Sequence, residues 1–123
     1  MNGTDSRELI SYFKKKSGKY LKLENKKKVK LFAVVDCQYT LTLTFTYGKK
    51  VLVIPFTGLY GDYVTMHIPK GLEKGHYMSS VVKFNSLQSI GYAIENILTN
   101  WTERKNEIIE LNWNEIIELN WED

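Results

Sequence analysis

At 123 residues, with 43% hydrophobic and 25% charged residues and two prolines, the chain has the size and composition of a single globular domain, with no room for a separate catalytic module. Its longest apolar run, Val51 to Phe56, falls far short of the roughly 20 residues of a membrane-spanning helix, and a lone cysteine, Cys37, excludes an intramolecular disulfide. The formal charge of +3 conceals a partition: residues 1–105 carry all 17 Lys and Arg against 8 acids, whereas residues 106–123 carry 6 acids and no base.

The opening MNGTDSRELI holds an aspartate and no apolar stretch of a signal peptide, so a cytoplasmic protein with a reduced, partly buried Cys37 is expected. Asp5-Ser-Arg-Glu8 has the spacing of an N-terminal capping box, and Leu9, Ile10 and Phe13 recur at helical steps. This predicts a short helix over Ser6 to Lys16, ending before Gly18. From Tyr20 the period becomes two. Leu21 and Leu23 form a short strand, and VKLFAVVD after the turn at Asn25 to Lys28 reads as a well-buried one. In Tyr39 to Tyr47 the large residues alternate with Thr40, Thr42, Thr44 and Thr46, so one face meets a core and the other water.

Gly48-Lys49 is a hairpin turn into a strand over Lys50 to Phe56, where Pro55, lacking a backbone donor, marks an edge or the strand's end. Further strands follow in YVTMHI (Tyr63 to Ile68) and HYMSSVVKF (His76 to Phe84). Asn85 or Ser86 caps the main helix, whose stripe is Leu87, Ile90, Ile94, Ile97, Leu98 and Trp101. Gly91 lets that helix approach a strand closely. The whole is an α+β fold: a mainly antiparallel sheet of about six strands against one long helix, with a short N-terminal helix.

Residues 1–105 thus form one domain, and residues 106–123 an acidic tail that reads NEIIELNW twice. Eight residues overshoot two helical turns by about 80°, so on a helix the copies point apart; on a strand, eight is even and they align. Glu107, Ile109, Leu111, Trp113, Glu115, Ile117, Leu119 and Trp121 then share a face. Glu, Leu and mid-segment Asn suit a helix better, but parity favours an added strand, single or broken at Asn112 to Asn114. Deleting Asn106 to Trp113 leaves a sensible shorter ending, so that version is expected to fold and bind as well.

Catalytic chemistry finds little footing. A Cys37, His67 and Asp62 constellation has no supporting spacing, and His67 reads as a strand histidine on the polar face. No CxxC, HxxxH or HExxH pattern is present, and Gly58 to Gly61 leads into a strand rather than a helix. No enzyme, metal or cofactor is therefore expected. Nine lysines lie from Lys14 to Lys30, with Tyr12, Phe13 and Tyr20 beside or among them as stacking platforms; Lys14, Lys15, Lys16, Lys26, Lys27 and Lys28 are candidate phosphate contacts of a small nucleic-acid-binding protein. A solvated lysine-rich face explains them equally, and arginines are few.

GHYMSSVVKFNSLQSIGYAIENILTNW (Gly75 to Trp101), a strand turning into an amphipathic helix, resembles the closing half of small bacterial immunity proteins. These are the antitoxin partners encoded beside contact-dependent growth inhibition and MafB-type polymorphic toxins. The resemblance implies a non-enzymatic inhibitor that binds one cognate toxin, often a nuclease, and occludes its active site. The acidic tail suits a nuclease's basic cleft, so Trp113, Trp121, Glu107, Glu110, Glu115 and Glu118 are the candidate partner-binding residues. If the toxin is instead acidic, the lysines carry the contact and the tail completes the sheet. An exposed edge strand also offers a route to a homodimer.

Overall fold

A computed structural model describes residues 6–69, 86–103, 111 and 115–122 with side chains, and residues 77–82 as backbone. Helix α1 spans Ser6–Lys16 and α2 spans Leu87–Thr102; the strands are β1 (Tyr20–Lys22), β2 (Lys28–Cys37), β3 (Thr40–Tyr47), β4 (Lys50–Thr57), β5 (Val64–Pro69), β6 (Tyr77–Val82) and β7 (Asn120–Glu122). They form one sheet in the order β6-β5-β4-β3-β2-β1-β7, with every neighbouring pair antiparallel. The α+β fold expected from the sequence is the fold observed.

Chain-adjacent strands pair because short turns leave them no other neighbour. Gly48 has φ of +59° at the first position of the two-residue turn between Tyr47 and Lys50, a conformation glycine adopts without steric cost. Only β7 breaks the sequential order: the end of the chain returns to pair with β1, Leu21 opposite Trp121 and Tyr20 opposite Glu122. Pro55 lies inside β4 opposite Thr42, and pairing of β4 with β5 begins directly after it, at Phe56 and Thr57.

The threonine alternation places Leu41, Leu43 and Phe45 in the core with Ile54, Phe56, Val64 and Met66 from the neighbouring strands. Both helices pack on that same face: Leu9, Ile10 and Phe13 come from α1, and Ile90, Ala93, Ile94, Ile97, Leu98 and Trp101 from α2. Ser86 caps α2, its Oγ accepting from the Ser89 N–H at 3.1 Å. The Asp5 half of the expected capping box lies outside the described residues. Cys37, expected to be partly buried, is exposed, because it ends β2 beyond the last core-facing position. No helix among the described residues is long and apolar enough to cross a membrane.

Candidate functional site

With both helices on one face, the other face of the sheet is uncovered among the described residues. Its membership follows from register: Val35 pairs with Thr42, Thr44 lies between Ala33 and Val53, and Thr46 pairs with Val51 and Lys30. Val35 is 53% exposed and Val51 60%. Phe32, the extra residue where the β2–β3 register shifts between Leu31 and Ala33, is 61% exposed. Toward β1 the face turns basic, with Tyr20 opposite Lys30 and Lys22 opposite Lys28, and the Lys30 ammonium lies 5.9 Å from the centre of the Tyr20 ring. The surface combines an apolar, threonine-lined middle with a cationic, aromatic end.

The lysine cluster, dense in sequence, is divided in space. Lys14 is bound to Asp36 near the far end of β2 at 3.3 Å, whereas Lys28 begins that strand. Eight residues of strand separate Asp36 from Lys28, about 26 Å. Several of the six candidate lysines also have work within the chain. Lys16 stands over the Tyr12 ring at 5.6 Å, the Lys27 ammonium donates to the carbonyl of Thr102 at 3.0 Å, and Lys28 pairs with Glu122 at 2.7 Å. Lys15 shares a shallow depression with Arg7, Ser11, Lys14 and Tyr60, while Lys26 turns the β1–β2 hairpin with φ of +72°.

Of the tail candidates, Trp113, Glu107 and Glu110 lie outside the described residues, and Trp121, Glu115 and Glu118 belong to the second octad. That octad is docked on the chain itself. The Ile117 N–H donates to the carbonyl of Gln88 at 3.0 Å, Leu119 is buried, and Trp121 Nε1 donates to the Tyr12 hydroxyl at 2.8 Å. Ile117, Leu119 and Trp121 face the core while Ile116, Glu118 and Asn120 are exposed, as the even spacing requires, although only Asn120–Glu122 is paired as a strand. Gly91 answers to this segment rather than to a sheet strand. A Cβ there would lie 2.5 Å from the Ile117 carbonyl oxygen and 3.3 Å from Leu119. Tyr12, half-buried beneath Trp121, has its pKa raised by that burial, against the lowering effect of the indole hydrogen bond.

The docked tail, α2 and the β1–β2 turn border a half-open pocket of about 300 Å³ that Glu24, Glu95 and Glu118 line together with Lys22 and Lys26. Glu95 is 5% exposed, and its Oε1 accepts from the Glu24 N–H at 2.6 Å. Burial pushes the Glu95 carboxyl pKa up, and the hydrogen bond from Glu24 pulls it partly back. Among the described residues no group of three or more His, Cys, Asp or Glu side chains is arranged to hold a metal ion.

His67 is placed beside Thr57, Nε2 and Oγ1 lying 2.9 Å apart on the outer face. Cys37 lies three strand spacings away, on β2 against β5, about 14 Å and beyond proton-transfer reach. The structure therefore does not bring the Cys37, His67 and Asp62 set into a nucleophile–base arrangement.

What sequence reasoning missed is the outer face as a surface. Phe32 and Val35 sat within a run that read as wholly buried, and only the bulge after Leu31 and the siting of both helices on one side expose them. Comparison with known proteins adds no relative: no family model, no curated protein and no solved structure matches the chain.

Proposed function

We propose that the protein is a non-enzymatic inhibitor of the immunity type, binding and neutralising one cognate bacterial toxin through the outer face of its sheet. The observation that carries this reading is that Phe32, Val35 and Val51 lie exposed among threonines on that face, uncovered by any described residue and edged by Lys22, Lys28 and Lys30. Apolar side chains held on a rigid sheet lose little conformational freedom on binding, and surrounding cations steer an acidic partner. The tail was the first expectation for this contact. Leu119 and Trp121 are engaged within the chain, which shifts support to the lysine-edged face and to a toxin with an acidic surface.

The test is whether co-expression of this protein protects cells from the product of the gene adjoining its own. The double variant Phe32→Asp/Val51→Asp is expected to lose protection and binding while its unfolding midpoint stays near the parent's. Full protection by that variant would sink the assignment of the surface.

A second reading, a small nucleic-acid-binding protein, is favoured by one observation: Tyr20 shares the outer face with Lys22, Lys28 and Lys30, an aromatic ring for base stacking beside cations for phosphate. Salt-sensitive RNA or DNA binding that disappears in Tyr20→Ala/Lys30→Ala, without toxin protection, would decide for it. Self-association would use one of the two sheet edges, β6 or β7, and solution mass against concentration reads it directly.

A further inference from the structure

The duplication poses a question of reach. Helix α2 ends at Thr102, with Glu103 as its C-cap, and beyond Leu111, which packs against the core, the tail is bonded where Ile117 meets Gln88 and Gly91, at the opposite end of the same helix. At 1.5 Å per residue, the distance back along α2 from Glu103 is about 18 Å to Gly91 and about 22 Å to Gln88. Fourteen residue steps from Glu103 to Ile117 cover this easily, since a chain reaches at most about 3.3–3.6 Å per residue. Without one octad only six steps remain, a maximum of about 20–22 Å with nothing left to round the helix end.

We propose that the duplicated octad is needed for its length: the first copy is the span that lets the second dock on its own chain. A chain one octad shorter would fill the same groove only from a second copy of the protein. Two further observations agree. In the second copy Trp121 is followed by Glu122, which pairs with Lys28 at 2.7 Å and has its carboxyl pKa held low by that lysine; in the first copy Trp113 is followed by Asn114. Among the described residues the groove is formed by α1, β1 and the start of α2, and Leu111, the one described residue of the first octad, packs against the core.

A segment that cannot close onto its own groove, yet keeps its full affinity for it, exchanges between chains. Because the two copies are identical, deleting either yields the same chain, so length and sequence are separated by a replacement. One variant lacks Asn106 to Trp113. In the other, the same eight positions are Gly and Ser except for Leu111, and Leu111→Ser in the full-length chain gives the cost of losing that side chain alone, beyond which the deletion must fall for span to be limiting. Solution mass over a concentration series and the denaturant midpoint are measured for each. The deletion is expected to give a species of twice the chain mass, or a monomer or unfolded chain with a clearly lower midpoint. The replacement is expected to stay monomeric with a midpoint near the parent's. A deletion variant that is monomeric and as stable as the parent would show that span is not limiting. A replacement that fails as the deletion does would show that the octad acts through its side chains, and either result overturns the proposal.

Discussion

Trp121 Nε1 donates to the Tyr12 hydroxyl at 2.8 Å, joining residues 109 positions apart and tying the last strand to the first helix. The bond sits beside the Leu21–Trp121 pairing and the buried Leu119, so it reports directly whether the tail is docked. Tyr12→Phe keeps the ring and removes the acceptor, which should cost about 1 kcal/mol. Trp121→Ala also removes the ring from the groove and should cost more, about 2–4 kcal/mol. Denaturant unfolding of both variants checks the order. Equal stability of Trp121→Ala and the parent would mean that the tail does not contribute to the fold.

Gly91→Ala should destabilise the protein, although alanine is the better helix former by about 1 kcal/mol. The added methyl would meet the Ile117 carbonyl oxygen at 2.5 Å, and backbone cannot yield as a flexible side chain does. A net loss of about 1–3 kcal/mol is expected. Faster amide exchange in residues 115–122 would accompany it.

Glu95→Gln keeps an acceptor for the Glu24 N–H and removes the buried charge. The folded-state pKa of Glu95 is raised above its ordinary 4.5, so the folded protein holds this proton more tightly than the unfolded chain. The group's contribution is therefore most favourable below 4.5 and declines as pH rises through the raised value. Stability of Glu95→Gln minus that of the parent should grow from pH 4.5 toward neutrality. Urea unfolding of both proteins across that range measures the difference; a flat difference would contradict the assignment.

Lys27→Met tests whether a lysine that looked like a phosphate contact is structural. Its ammonium caps the Thr102 carbonyl at the C-terminus of α2, where a cation also opposes the helix dipole. A loss of about 0.5–1 kcal/mol is expected, with no change in partner or nucleic-acid binding. Loss of binding at unchanged stability would reverse the roles.

Most of the fold was legible in order along the chain. The helical stripes at Leu9 to Phe13 and at Leu87 to Trp101, the threonine alternation and the Gly48 turn are local patterns, and each corresponds to an element at the expected place. Parity also foresaw that Ile117, Leu119 and Trp121 would share a side, because side-chain direction in extended chain depends only on counting. The candidate site was far less legible. Nine lysines within seventeen residues looked like one patch, but a strand of ten residues carries its two ends apart, and Asp36 and Thr102 claim individual members.

By itself the sequence determined what local periodicity and backbone chemistry can determine: which segments are helix or strand, which side chains of each are apolar, and that the tail repeats with an even step. Only the tertiary structure decided that both helices cover one face and leave Phe32, Val35 and Val51 on the other, and that the tail returns to β1. Those choices rest on contacts between residues far apart in the chain. The meeting of Trp121 with Tyr12, or of Ile117 with Gly91, depends on where the whole core places α1 and α2, which no window of sequence contains.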